Sequence, residues 1–377
     1  MRIAGSALAC ALGSSLEECV QGLSQGLVRT VPLTLEGLEE PVRMPYYRIP
    51  DPAADIFDPA RLEALLPPLA EQALRAAGLG AAQLRSLPVF VGSSAFSVTR
   101  SEALYADELA QGAIYPCALP LVDFQHLATL LKRSLGVGGE SYAYNTACSA
   151  GANALLGASR MLALGRHRHA LVIGMELANR TTLAGFSGLQ LVAPSLKPFD
   201  RQRSGIVLGE GLSAVVLSAD AGPGLRFLGG ATNCDTYSVT TANPDGSSIA
   251  AVQAEALRLS GVAKEKVVAI KAHGTASPMN DQGEAAGILR LFPKPPPIFA
   301  FKSYTGHTLG ACGVNELVLT AAALLQGFLP ATPGFEEEDP ALKLGPLRAK
   351  LAAPKGPMVL NYFGFGGNNT SLVVEAP

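Results

Sequence analysis

Short apolar runs alternate with longer, alanine-rich or amphipathic stretches along most of the chain. Val89-Phe90-Val91 predicts a buried strand ending in Gly92-Ser93-Ser94. Ser149 to Leu164, rich in Ala, Leu and Met and followed by Gly165, predicts a helix with a glycine stop. Ala170 to Gly174 and Ser213 to Leu217 predict core strands. Met1 to Ser15 carries one Arg and an apolar run broken by Gly5 and Ser6, so a targeting segment is the weaker reading. The better one is a first strand, then a helix starting near Ser14-Ser15 with Glu17 and Glu18 in its first turn. Leu66-Pro67-Pro68-Leu69 and Pro293-Lys294-Pro295-Pro296-Pro297 read as loops.

After Ala219 to Gly224 the pattern restarts. Arg226 to Ala231 echoes Arg2 to Ala7, and Val267 to Ala272 with His273-Gly274-Thr275 echoes Val89 to Ser94. The run from Ala311 to Gln326, stopped at Gly327, echoes the helix after Cys148, and Met358 to Asn361 echoes the strand near Val172. This order predicts a duplicated α/β unit, residues 1–220 and 221–377, whose loops share one cleft at the strand ends.

Hydrophobic residues make up 48 % of the 377 positions and charged residues 16 %, which predicts a large core and further burial in an oligomer. Net charge is −2 without a strongly basic run, which argues against a nucleic-acid partner. No stretch reaches the roughly 18 apolar residues of a membrane span. Six cysteines without a CxxC pair argue against a disulfide scaffold or structural zinc, and predict reduced thiols in the cytoplasm.

Cys148, in Asn145-Thr146-Ala147-Cys148-Ser149-Ala150-Gly151, falls where an extended stretch meets a helix. A thiol at a helix N-terminus is expected to have a lowered pKa, and its small neighbours leave room for a bulky acyl group. Cys10, Cys19, Cys117, Cys234 and Cys312 read as structural thiols. Of five histidines, His126, His167 and His169 read as surface or packing residues. His273 and His307, each expected after a strand and embedded in Gly and Thr, read as a pair of site residues that donate N–H bonds to a carbonyl. No third histidine stands at ligand spacing, so metal is not expected. Gly364-Phe365-Gly366-Gly367-Asn368 does not fit a dinucleotide-binding fingerprint. It reads as a turn between strands whose backbone N–H could join that of Cys148 as an oxyanion hole.

These motifs, in this order, resemble those of the β-ketoacyl-ACP synthases of the elongating class. The resemblance rests on Asn145 to Gly151; on Lys197-Pro198-Phe199-Asp200 through Arg203 to Gly209-Glu210-Gly211; on His273 to Ser277 with Asn280, Asp281 and Glu284; on Lys302 to Ala311; and on Asn361 to Asn369. It implies a thiolase fold, two duplicated α/β halves in a five-layered α-β-α-β-α sandwich, usually dimeric. It implies decarboxylative condensation of malonyl-carrier protein with an acyl chain on Cys148. His273 and His307 would assist decarboxylation, and Lys302 would orient the site, partnered by Glu284 and Glu316. Thr275 and Ser277 would bind the phosphopantetheine arm, Phe365 would gate the acyl pocket through a loop whose N–H completes the oxyanion hole, and Phe199 would lie near substrate. No bound cofactor is implied, because substrates arrive on acyl carrier protein. Arg203, with Lys132 and Arg133 as further candidates, would meet that acidic partner. Two histidines argue against the type III branch, which has Asn at one position. Ser204, Ile206 and Tyr362 depart from the family pattern and point to a specialised synthase. The alternatives are a chain-length-factor-like partner of a heterodimeric synthase, disfavoured by the presence of Cys148, and a thioester-binding protein that decarboxylates without condensing.

Overall fold

The apolar runs become ten strands of one sheet in the computed structural model of the chain, which describes residues 1–112 and 124–376. The first five are β1 (Arg2–Cys10), β2 (Val89–Gly92), β3 (Ser141–Tyr144), β4 (His169–Glu176) and β5 (Gly211–Ser218). The second five are β6 (Arg226–Cys234), β7 (Ala269–Lys271), β8 (Ile298–Phe299), β9 (Pro357–Gly364) and β10 (Asn368–Glu375). Across the sheet the first set runs β1-β5-β4-β2-β3 and the second β6-β10-β9-β7-β8, so each strand has its counterpart five numbers later. Orientation repeats too. The first three strands of each series pair antiparallel and the outer ones parallel. The echoes in the sequence therefore correspond to topologically equivalent elements. The two sets are joined by a single register pair, Arg2 with Arg226.

Helix α1 (Leu16–Ser24) starts at Ser15, whose side chain accepts the Glu18 N–H as an N-cap. One outer layer is α2 (Ala60–Ala76), packed on β1 and β5 through Leu62, Leu66, Leu69, Ala70 and Ala73. Pro67 and Pro68 lie inside this helix, not in a loop. The carbonyls left without donors belong to Glu63 and Ala64, both exposed and open to water, while the apolar face stays intact. The segment of four prolines and one lysine at 293–297 is a loop.

The opposite outer layer is α5 (Ser247–Leu259) and α6 (Pro278–Leu291), over the second strand set. Between them run α3 (Ala150–Ala163) and α7 (Cys312–Leu325), packed on each other and on strands of both sets. α4 (Arg180–Gly188) lies beside the cleft. The result is the five-layered α-β-α-β-α thiolase arrangement. Every residue of α7 from Cys312 to Leu324 is buried, the polar Asn315, Glu316 and Thr320 included, because the helix is covered on all sides. α3 and α7 approach so closely that a Cβ at Gly313 would stand 1.9 Å from the Ala152 amide nitrogen. Among the described residues no helix is long and apolar enough to cross a membrane.

Candidate active site

A cavity of about 350 Å³ opens at the strand ends, and Cys148, His273 and His307 all line it. Cys148 lies in a 3₁₀ turn, Ala147–Ser149, that runs directly into α3. Ala147 holds φ at +49°, a left-handed conformation costly for a residue with a Cβ. The second half repeats the device: Leu309, at φ +41°, opens the 3₁₀ turn Leu309–Ala311 that leads into α7. Both central helices thus begin from a strained turn beside the cavity.

The Cys148 thiol does not show the lowered pKa expected of a helix N-terminus. Burial pushes it up to about 12, with Cys312 adding to the effect. Lys302 and a hydrogen bond from the Phe365 backbone N–H act in the other direction without overcoming it. Gly364 leaves the Cys148 amide open, since a Cβ there would lie 3.0 Å from that nitrogen. Phe365 to Gly367 form the expected turn, between β9 and β10, with Gly366 and Gly367 both at φ +73°. The Phe365 ring stacks on Phe186 of α4, with centroids 5.7 Å apart.

His273 follows β7 as expected. His307 does not follow a strand directly: a helical turn, Lys302–Thr305, comes between β8 and it, and Gly306 at φ +69° turns the chain. His307 is held by backbone bonds with Val207 and Gly209. The two rings meet edge to face at 5.5 Å. Burial holds both imidazoles well below their usual pKa, and the nearby Lys302 reinforces it, so both are neutral.

Hydrogen bonds then assign their tautomers. Lys302 Nζ lies 3.2 Å from His273 Nδ1. An ammonium can only donate, so Nδ1 accepts and the proton sits on Nε2. The Leu309 N–H donates to His307 Nδ1 at 3.3 Å, which leaves its proton on Nε2 as well. Two neutral Nε2–H donors result, the form suited to a thioester carbonyl or an enolate oxygen.

Burial works against the Lys302 ammonium, but Cys312 and Glu316 outweigh it and keep its pKa above the usual lysine value. Glu316 Oε1 lies 2.9 Å from Lys302 Nζ. Glu284 does not bond to Lys302. It accepts instead the backbone N–H groups of His273 at 2.7 Å and Gly274 at 2.8 Å, and so fixes the first histidine motif. Thr275 and Ser277 line the cavity. Phe199 is fully buried in the hydrophobic core beside α5 and α6 and is not among the described residues lining the cavity. Its N–H donates to Asp281 Oδ2 at 2.7 Å, and its ring backs Gly274.

Arg203 is not a free surface cation, because it pairs with Asp339 at 2.6 Å and bonds the Asp200 carbonyl. Lys132 and Arg133 are exposed in the last turn of the helix Phe124–Leu135. Ser204 and Ile206 line the cavity, whereas Tyr362 is buried under Lys271 and does not. The five described cysteines are free; Cys117 lies outside the described residues. Cys312 is more than packing, since its sulfur lies 3.3 Å from His307 Nδ1.

Buried charges also escaped the sequence reading, two of them close to the site. Glu176, at the end of β4, accepts from Ser94, Ala95 and Gly310 and ties both halves together under the cleft. A charge ending an apolar strand was its signal. Lys271 has no exposed surface and binds the second oxygen of Glu316.

Residues 42–221 match the family model for the beta-ketoacyl synthase N-terminal domain, and 226–336 that for the C-terminal domain. A 3-oxoacyl-[acyl-carrier-protein] synthase 2 of Synechocystis is 31 % identical over 279 residues, 69 % of this chain and 67 % of its own. One of Vibrio cholerae is 30 % identical, over 70 % of this chain and 68 % of its own. Among solved structures, a ketosynthase in complex with its chain length factor from Xenorhabdus doucetiae matches with a TM-score of 0.86 at 25 % identity, over 100 % of this chain and 98 % of its own.

Proposed function

The chain belongs to the β-ketoacyl synthase family, and we propose on that premise that it is a condensing β-ketoacyl-[acyl-carrier-protein] synthase with Cys148 as nucleophile. The observation that carries the reading is the convergence of one thiol and two Nε2–H histidines on a single cavity. Cys148 sulfur attacks the thioester carbonyl of an acyl-carrier protein, and its proton leaves on the carrier thiol. The backbone N–H groups of Cys148 and Phe365 serve the oxyanion of this step. A malonyl-carrier protein then enters. Its carboxylate leaves as CO₂, and the electron pair of that C–C bond becomes an enolate, whose oxygen takes the two Nε2–H bonds. The enolate carbon attacks the acyl-Cys148 carbonyl, and collapse expels the Cys148 thiolate and yields a β-ketoacyl-carrier thioester.

Thr275 and Ser277 serve the pantetheine arm, and Phe365, braced by Phe186, gates the acyl chain. Ser204 and Ile206, on the cavity wall, set its shape and point to a specialised acyl substrate. Acyl carrier protein is the partner, with the exposed Lys132 and Arg133 as docking candidates, and the working unit is a dimer, homo- or heteromeric, in the cytoplasm. No separate cofactor is needed, since loss of CO₂ drives carbon–carbon bond formation. The division into halves at 1–220 and 221–377 belongs to the same proposal, supported by the repeated strand order.

The test is intact-protein mass spectrometry after mixing with a panel of acyl-carrier proteins, wild type beside Cys148→Ala. An acyl adduct on wild type alone is expected. Absence of adduct from every donor would transfer the reading to a partner subunit that pairs with an active synthase.

A further inference from the structure

Lys271 occupies an unusual position for a lysine. It ends β7, has no exposed surface, and its Nζ stands 3.5 Å over the Tyr362 ring. It donates to the Asn361 carbonyl at 2.6 Å and to Glu316 Oε2. Burying an ammonium is costly unless it is paired. Glu316 already has a partner in Lys302, whose pairing would by itself be neutral, so local charge balance does not call for a second cation there. The outcome is a continuous chain of contacts: Asn361 carbonyl, Lys271, Glu316, Lys302, His273 Nδ1. Each Glu316 oxygen is held by one ammonium, and the far end of the chain fixes the histidine tautomer.

We propose that Lys271 is a positioning residue for decarboxylation of a malonyl thioester: it holds Glu316 so that Lys302 is aimed at His273 Nδ1, and it sets the charge felt by both histidines. This rests on the condensing function proposed above. The groups facing the pair are Lys302, Lys271, Glu316, Glu284, with Asp281 one turn before it on α6, and the thiols of Cys148 and Cys312. With Lys271 present, two amines stand against Glu316, while burial brings the Lys271 ammonium down to about 8 and pushes the Glu284 carboxyl up to about 7. Without it, Lys302 alone stands against Glu316 and one positive charge beside the histidines is gone. Lys271 lowers the pKa of His273 and of His307, behind the larger effects of burial and Lys302. Its removal therefore favours the imidazolium form, which loses the Nδ1 acceptor that Lys302 engages.

The experiment follows CO₂ release from malonyl-carrier protein, the enolate taking a proton to give the acetyl thioester, across pH 5 to 9 for wild type, Lys271→Met, Lys271→Gln and Lys271→Arg. Gln retains a donor toward Asn361 and Glu316 while removing the charge. The acid limb should move upward in the Met and Gln variants and stay in place in the Arg variant. A limb unmoved in the neutral variants overturns the proposal, as does one moved equally in the Arg variant. Failure of both neutral variants to fold would make Lys271 a purely structural residue and equally overturn it. Absence of CO₂ release from wild type itself would instead strike the condensing function.

Discussion

At the scale of single residues, the site is governed by burial. Cys148, His273 and His307 are each shifted toward their neutral forms, and burial is the first cause in all three. For the histidines this suits the proposed function, because a neutral imidazole with its proton on Nε2 remains a donor. Replacing either by Phe should slow malonyl decarboxylation by about 10²–10³-fold, the usual cost of one lost oxyanion donor. Acyl loading of Cys148 should survive in both variants; the two assays together separate donor loss from misfolding. For the thiol, burial acts against reactivity. Alkylation of Cys148 by iodoacetamide, followed by peptide mapping to separate it from the exposed Cys234, should keep accelerating with pH beyond 9. A plateau near neutral pH would show that the helix terminus wins after all. The convergence of Cys148, His273 and His307 on one cavity was legible in the sequence because each stands among small Gly, Ser, Ala or Thr neighbours. Lys271 was not, because a lysine closing an apolar run looks like a strand end reaching solvent, and its partner Glu316 lies 45 positions away.

At the scale of elements, the active site depends on how closely α3 and α7 can cross. Gly151 and Gly313 form the crossing: a Cβ at Gly151 would lie 3.0 Å from the Gly310 carbonyl, and one at Gly313 would overlap Ala152 backbone. Backbone cannot swing aside as a side chain can. Gly313→Ala should therefore cost about 1–3 kcal/mol in urea unfolding, the range for overpacked cores. It should also slow decarboxylation, because the turn that carries Cys148 runs into α3 and α7 carries Glu316. A variant with unchanged stability would mean that the helices have room to part. The sequence pattern located both helices, yet it could not foretell that they touch, since nothing in either alone records the other. The same blindness explains Pro67 and Pro68. Local rules assign prolines to loops, but the apolar face of α2, packed on β1 and β5, keeps the helix whole.

At the scale of the whole molecule, the repeat visible in the chain is a repeat of topology without independence of parts. The largest core cluster takes Leu155, Leu156 and Val172 from the first half together with Val314, Leu317 and Leu360 from the second. The strand sets themselves share only the Arg2–Arg226 register pair, so the central helices carry most of the union. Glu176 adds a polar tie, receiving the Gly310 N–H of the second half at 3.0 Å. Each half alone would expose the apolar face of its central helix and lose the packing that orders it. Residues 1–220 and 221–377 expressed as separate chains should each lack a cooperative thermal transition by circular dichroism. Expressed together they should co-elute on size exclusion as one species with a single transition, because the interface between them is core. A cooperative transition in 1–220 alone would mean that the halves are domains in the folding sense. The cavity, which draws Cys148 from one half and both histidines from the other, would then be an interface site between two independent units and not a feature of one fold.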